Sequence, residues 1–139
     1  MDHKFHVIGL CETRLNDSIS SIYSIPSYTA FHKNKSTKGG GVSIYVHKSL
    51  QGTVLPDISI QLPHIECLFL RVEISKVDYI VGMIYRPPNA SVCEFLLSLE
   101  QILESISTSQ RHACYLMGDF NINLLDMEKN MQELVNLFY

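Results

Sequence analysis

The 139-residue sequence predicts a single α/β domain, and three observations lead to that prediction. Several short apolar runs have the length and periodicity of β-strands. One later segment has the periodicity of an amphipathic helix. Hydrophobic residues make up 46% of the chain and charged residues only 18%, so the chain is globular rather than disordered.

Six segments are predicted to be strands: residues 5–10, 28–31, 42–46, 65–74, 79–85 and 113–117. In the third, Val42, Ile44 and Val46 share one face, because side chains alternate along a strand. The first is largely apolar and is expected to be buried. The fifth must end before Pro87 and Pro88, because proline cannot continue a central ladder.

One helix is well marked in the second half of the chain. Ser91 and Glu94 have the spacing of a capping box, in which the serine caps the first helical turn. Apolar residues then recur at three- and four-residue steps, and they are Val92, Phe95, Leu96, Leu99, Ile102, Leu103 and Ile106. This stripe is expected to pack in the core. A last amphipathic stretch, residues 127–138, is predicted to be a second helix.

A basic loop, residues 32–38, precedes three consecutive glycines. Its lysines, Lys33, Lys35 and Lys38, are interpreted either as solvated loop charges or as contacts to the phosphates of a nucleic acid. The glycines favour a backbone bend over a phosphate cradle, because no P-loop Lys-Ser/Thr pair follows them.

Composition limits the classes of function. The net charge of −3 provides no global positive field, so binding to nucleic acid has to rest on a local basic patch. No apolar stretch approaches the ~20 residues of a membrane span, so no membrane partner is expected. The cysteines lack the paired spacing of zinc or redox motifs, which predicts buried, reduced thiols in an intracellular protein, nuclear or cytoplasmic. They are Cys11, Cys67, Cys93 and Cys114. The histidines predicted to lie in loops are His32, His64 and His112.

Polar residues stand at the ends of three predicted strands. Glu12 follows the first, Tyr85 closes the fifth, and Asp119 and Asn121 follow the sixth. Ends of neighbouring strands meet at one edge of a sheet, where open α/β sheets bind their ligands. Two carboxylates and an amide suit a hard cation such as Mg²⁺ and the activation of a water molecule against phosphorus. The alternative is that these residues form turns, as most carboxylates after strands do.

Four segments, in this order, resemble motifs of the endonuclease/exonuclease/phosphatase family, whose fold is DNase I-like. They are IGLCETRL from Ile8, GGGVSIYV from Gly39, IYRPPN from Ile84 and MGDFN from Met117. The third segment has the form found in endonucleases of LINE-type non-LTR retrotransposons. The resemblance implies a four-layer α-β-β-α sandwich with two mixed sheets flanked by helices.

The same resemblance implies roles for individual residues. Glu12 would be the Mg²⁺ ligand, and Asp119 would orient or deprotonate the attacking water. Asn121 would hold the scissile phosphate, and Tyr85 would lie beside that phosphate and stabilise developing charge. Arg86 is interpreted either as a surface charge at the strand end or as a phosphate contact.

The sequence also departs from the family's pattern. Family members have an additional Asn-bearing strand and a helix before the Glu-Thr strand, and they carry a Ser-Asp-His motif near their end. Here the Asp-His pair occurs only at Asp2-His3, which is the wrong place. Residues 1–139 are therefore interpreted as a partial domain that lacks the first strand and the Ser-Asp-His part, and that is inactive by itself.

The parent domain is expected to be a Mg²⁺-dependent endonuclease that nicks DNA. Its expected partner is a reverse transcriptase domain in the same polyprotein. Two alternatives stay open: a non-catalytic remnant or interaction module derived from such an element, and a family member acting on a small phosphate ester. The low charged fraction further predicts exposed apolar surface and self-association.

Overall fold

The computed structural model describes residues 5–35, 39–106 and 113–123. Its strands are β1 (Val7–Cys11), β2 (Tyr28–Lys33), β3 (Val42–His47), β4 (Gln51–Val54), β5 (Gln61–Leu62), β6 (Ile65–Ile74), β7 (Val77–Tyr85) and β8 (Cys114–Asp119). The helix α1 spans Val92–Ser105, and two short 3-10 turns cover Ser20–Ile22 and Pro56–Ile58. No helix in the described ranges is long and apolar enough to cross a membrane.

The strands form two sheets. The first sheet has the order β1-β3-β2 and is antiparallel. The second has the order β4-β6-β7-β8, with β5 paired to β6, and is mixed because β7 and β8 run parallel. A parallel pair needs a long crossover connection, and α1 lies in the connection between these two strands.

The alternating side chains of the two sheets produce two layers of core. Between the sheets, Val42, Ile44 and Val46 of β3 face apolar residues of β6 and β7. On the other face of the second sheet, the apolar stripe of α1 covers Ile65 and Phe69. The described part of the chain is therefore a stack of sheet, sheet and helix, consistent with the predicted α/β sandwich.

The structure confirms several predicted elements. The strand β6 has the predicted bounds, and the Ser91 hydroxyl accepts a hydrogen bond from the Glu94 amide at 3.3 Å, as the helix cap requires. The three glycines have φ angles of 93°, 78° and 90°, which confirms the backbone bend. The second predicted helix, residues 127–138, lies outside the described residues, as does His112.

Other predictions were wrong. The strand β2 continues to Lys33, so His32 lies in a strand rather than a loop and hydrogen-bonds Ser43 at 2.7 Å. The first strand is half-buried rather than buried, with Leu10 42% exposed. Cys93 is exposed, whereas Cys67 is buried as predicted. The strand β4 was not predicted, because its Gln-Gly-Thr-Val sequence has no apolar alternation.

Candidate active site

The two sheets meet at a contact between Tyr85 and Glu12. Tyr85 is the last residue of β7, and Glu12 directly follows β1. The Tyr85 hydroxyl donates to Glu12 Oε1 at 2.5 Å. Glu12 has a φ of 51°, a left-handed backbone conformation that is uncommon for residues other than glycine. This backbone turn accompanies the approach of the Glu12 carboxylate to the phenol of the facing sheet.

Asp119 lies beside this contact because of the strand pairing. The parallel register of β7 and β8 pairs Tyr85 with Asp119, and the Arg86 amide donates to the Asp119 carbonyl at 3.0 Å. Asp119 Oδ1 accepts from the Asn121 amide at 2.9 Å, which forms the turn that follows the strand. The Asp119 side chain is exposed to solvent.

Asn121 is fixed by the same strand ends. It has a φ of 47°, and its side-chain amide donates to the Arg86 carbonyl at 2.8 Å. The structure thus brings together, at one edge of the second sheet, the four side chains predicted to form a site. They are Glu12, Tyr85, Asp119 and Asn121. The turn-former interpretation of Asp119 also applies, since one of its two oxygens closes the turn.

Burial and the neighbouring carboxylates together favour the protonated form of Tyr85. Burial is the main cause that raises the pKa of Tyr85 above its usual range, and the hydrogen bond to Glu12 raises it further. The negative charges of Glu12, Glu66 and Asp119 act in the same direction. Conversely, the Tyr85 hydroxyl lowers the pKa of Glu12, with a smaller contribution from Arg14. The contact therefore holds a protonated phenol against an ionised carboxylate.

Arg86 is a buried residue whose guanidinium contacts backbone carbonyls. It is only 4% exposed, so the interpretation as a surface charge is wrong. Its guanidinium donates to the carbonyls of Phe120 at 2.7 Å and Pro87 at 3.4 Å, and also to those of Ala90 and Asn121. The phosphate contact stays a prediction, and a guanidinium whose donors are occupied by backbone carbonyls does not favour it.

The lysines are also placed differently from a solvated loop. Lys33 is the last residue of β2 and is half-buried. Lys35 Nζ lies 2.5 Å from Glu66 Oε1, and that ion pair corrects the interpretation of Lys35 as a solvated charge. Lys38 lies outside the described residues. Contacts of these lysines to DNA stay a prediction.

Two residues at the site were not identified from the sequence. Arg14 is an exposed cation 3.4 Å from Glu12 Oε2. Glu66 is a fully buried carboxylate on β6, opposite Tyr85 in the register. A signal for Glu66 was present, because it has the same strand parity as Leu68 and Leu70, which face the core between the sheets.

The donors at the site fit Mg²⁺ better than a softer metal. Within the described residues, no three His, Cys, Asp or Glu side chains are grouped so that they could hold a metal ion. Mg²⁺ keeps several of its waters and binds through one or two carboxylates, so it does not require such a group. Glu12, 41% exposed at its side chain, is the carboxylate available for it.

Replacing Tyr85 by phenylalanine is expected to raise the pKa of Glu12 toward its usual value. The carboxylate would lose its hydroxyl donor, which is the largest cause of its lowered pKa. Because the pKa of Glu12 is lowered in the fold, the contact stabilises the folded state fully above the usual pKa of glutamate. This stabilisation is lost as the pH falls through the pKa that Glu12 has in the folded state. Carboxyl ¹³C NMR titration measures the change.

Tyr79→Phe is the matched control for that titration. Tyr79 lies on the same strand, but its ring contacts Tyr115, with ring centroids 6.0 Å apart. The Glu12 titration should be unchanged in this variant. An equal Glu12 pKa in Tyr85→Phe and the unsubstituted chain would contradict the assigned hydrogen bond.

Known proteins resemble this chain in sequence family and in fold. The sequence model of the "Endonuclease/Exonuclease/phosphatase family" matches residues 2–131 of this chain. A humanized D. rerio TDP2 carrying 14 mutations is similar in structure, with a TM-score of 0.60 at 17% identity, over 95% of this chain and 56% of that one. D. rerio TDP2 complexed with a single-strand DNA product gives a TM-score of 0.55 at 16% identity, over 96% of this chain and 52% of that one. No curated protein matches the chain.

The chain spans about half the length of these two structures. At such identities the likeness shows the fold alone, which is DNase I-like. The family match covers nearly the whole sequence and includes all four predicted site residues. The chain belongs to the endonuclease/exonuclease/phosphatase family.

Proposed function

We propose that this chain carries the metal-binding and water-activating part of a Mg²⁺-dependent phosphodiester hydrolase that nicks DNA. The observation that carries the proposal is the contact of Tyr85 with Glu12, made next to Asp119 at the paired end of β8. Three apolar strands from two sheets end at this point, and each supplies a polar side chain. Turn formation alone does not require such convergence.

Each residue has a role consistent with its protonation and partners. Glu12, whose lowered pKa keeps it ionised, would hold Mg²⁺. Asp119 has one oxygen in its turn, so the other would accept a proton from water. Asn121 donates one amide hydrogen to Arg86 and has a second for a phosphate oxygen. Tyr85, kept protonated, would donate a hydrogen bond to developing charge.

The metal would supply charge stabilisation on the phosphate oxygens. The protein would contribute by holding the Glu12 carboxylate in one orientation at the exposed end of the strands. The hydrogen bond from Tyr85 does this, since it restricts one carboxylate oxygen and leaves Oε2 near Arg14. Ligand orientation by such outer partners is a general feature of metal sites.

The substrate assignment rests on sequence motifs and on the structural relatives. TDP2 complexed with a single-strand DNA product supports a nucleic acid over a small phosphate ester. The segment Ile84–Asn89, Ile-Tyr-Arg-Pro-Pro-Asn, supports the LINE-type retrotransposon branch, in which a reverse transcriptase accompanies the nuclease. A hydrolysis screen that compares plasmid DNA with small phosphate esters separates the two substrate classes.

We further propose that residues 1–139 form a partial domain and do not nick DNA by themselves. The sequence contains no Ser-Asp-His segment, whose histidine would donate to the phosphate. Groups that act as a unit lose most of their effect together when one of them is removed. A chain of this kind would still bind the metal at Glu12.

Glu12→Gln is expected to weaken divalent-metal binding by more than about tenfold, because it removes the charged ligand while keeping an acceptor for Tyr85. Paramagnetic broadening by Mn²⁺ of amide signals near Glu12 measures this. Glu73→Gln, which neutralises an exposed carboxylate on β6, is the matched control and should bind Mn²⁺ normally. Equal broadening in Glu12→Gln would contradict the metal assignment.

The same preparations test the reaction. A supercoiled plasmid incubated with Mg²⁺ should stay intact with the 139-residue chain. Nicking that both Glu12→Ala and Asp119→Ala abolish would refute the proposed inactivity and support the reaction class. Nicking that neither substitution changes would refute the site.

A further inference from the structure

Glu66 is a charged residue placed where the two sheets pack against each other. Side chains on its face of β6 continue with Leu68, Leu70 and Val72, all in the core between the sheets. Glu66 is 0% exposed. A carboxylate without solvent has to be paired and hydrogen-bonded, since an isolated buried charge is strongly unfavourable.

Two partners satisfy this carboxylate, and both belong to the connection between β2 and β3. Lys35 Nζ lies 2.5 Å from Oε1, and the Gly41 amide donates to Oε2 at 2.6 Å. Glu66 therefore binds one residue near the start of the connection and one at its end. Each carboxylate oxygen has its own donor, so the pairing defines position as well as charge.

The glycines allow the carboxylate to come this close. A Cβ atom on Gly40 would lie 2.5 Å from Glu66 Oε1 and 2.7 Å from Oε2. The carbonyls of Gly40 and Gly41 also accept hydrogen bonds from the segment that contains Glu12. The Thr13 amide donates to the Gly41 carbonyl at 3.2 Å, and the Arg14 amide donates to the Gly40 carbonyl at 2.9 Å. These two residues directly follow Glu12.

Glu66 is also attached to the other side of the site. It is the register partner of Tyr85 on the neighbouring strand β7, and such cross-strand pairs lie within direct contact distance. The negative charge of Glu66 is also one of the smaller causes that raise the pKa of Tyr85. Glu66 therefore connects β7, which carries Tyr85, to the glycine loop, residues 39–41. That loop in turn binds Thr13 and Arg14, the two residues that follow Glu12.

We propose that Glu66 is a positioning residue that, through the glycine loop, holds Glu12 opposite Tyr85. The proposal rests on the proposed function for the meaning of Glu12 as a metal ligand. A purely stabilising ion pair would need only Lys35. The bond to the Gly41 amide, and through it the bonds to Thr13 and Arg14, give Glu66 a route to the site.

Gly40→Ala tests that route without changing Glu66. The added methyl group collides with the Glu66 carboxylate, so hydrogen exchange of the Thr13 and Arg14 amides should become about tenfold faster. The pKa of Glu12 should move toward its usual value as the contact with Tyr85 loosens. Gly39→Ala is the matched control: its φ is also positive, at +93°, but nothing lies within 4 Å of the added Cβ.

Glu66→Asp provides a second test that conserves charge. The shorter side chain cannot reach both donors, so a positioning role predicts about tenfold weaker Mn²⁺ binding at Glu12. A role of the charge alone predicts unchanged binding. Glu66→Gln should weaken binding at least as much, and Glu73→Gln serves again as the control.

The outcomes separate this inference from the proposed function. Equal amide exchange and equal Glu12 titration in Gly40→Ala and Gly39→Ala would overturn the positioning role, whether or not metal binds. Unchanged Mn²⁺ binding in Glu66→Asp would also overturn it. Mn²⁺ that leaves the Glu12 region unaffected in the unsubstituted chain would overturn the proposed function, while the exchange rates still decide the role of Glu66.

Discussion

Gly118→Ala is expected to destabilise the fold by at least about 3 kcal/mol, a loss large enough to detach β8 from β7. A Cβ atom on Gly118 would lie 1.7 Å from the backbone oxygen of Ile84 and 2.7 Å from its carbonyl carbon. The φ of +153° adds strain for any side chain. Ile84 is inside β7 and is paired with Cys67 of β6, so its backbone cannot move away without breaking the sheet.

The consequence for the site follows from the register. Gly118 immediately precedes Asp119, and the pairing of Ile84 with Gly118 sets the pairing of Tyr85 with Asp119. A displaced β8 would therefore also carry Asp119 and Asn121 away from Glu12. Urea unfolding followed by far-UV circular dichroism measures the stability, and NMR contacts between β7 and β8 measure the displacement.

Gly9→Ala is the comparison for this prediction. A Cβ atom on Gly9 would lie 2.4 Å from Met83 Sδ and 2.9 Å from Met117 Sδ, which are atoms of flexible side chains rather than backbone. Those side chains can shift, so we expect a cost of about 1 kcal/mol. A Gly118→Ala variant no less stable than Gly9→Ala would show that the approach of β8 to β7 is looser than the structure has it.

The sequence contained the information for much of the sheet geometry. The alternation of β6 and the apolar stripe of α1 each reflect burial on a single face, and both were predicted correctly. Strand ends carrying Glu12, Tyr85 and Asp119 could be expected to converge, because neighbouring strands that end at one edge bring their last residues together.

Other features could not be predicted, because they depend on pairing between distant segments. The strand β4 has a polar sequence and becomes a strand only through its pairing with β6. The position of Glu66 on the core face of β6 could be read from its parity, but its pairing could not, because its partner Lys35 lies 31 residues away along the chain. Lys35 itself looked like one member of a solvated basic loop.

Arg86 shows the same limit most clearly. At a strand end before two prolines, an arginine has the same local sequence whether it is exposed or buried. Its acceptors Phe120 and Asn121 are 34 and 35 residues further along the chain. No local pattern connects these positions, so the buried location follows only from the parallel pairing of β7 with β8.

Arg86→Met is therefore expected to destabilise the fold by about 3 kcal/mol. Methionine retains much of the apolar volume but none of the donors. The carbonyls of Phe120, Ala90 and Asn121 would lose their partner where the buried guanidinium now lies. An unpaired buried acceptor costs its full desolvation, and several would be left at once. Urea unfolding measures the loss.

The effect should extend to the site as well as to stability. Arg86 binds the segment 120–121 through its guanidinium and accepts from the Asn121 side chain through its own carbonyl, so losing the guanidinium frees one side of a two-sided attachment. Arg71→Met is the control: that arginine is 47% exposed at its side chain and 3.8 Å from Asp78, and exposed pairs contribute about 1 kcal/mol or less. Equal stability of the two variants would contradict the buried position of the Arg86 side chain and would reopen both earlier interpretations, a surface charge and a phosphate contact.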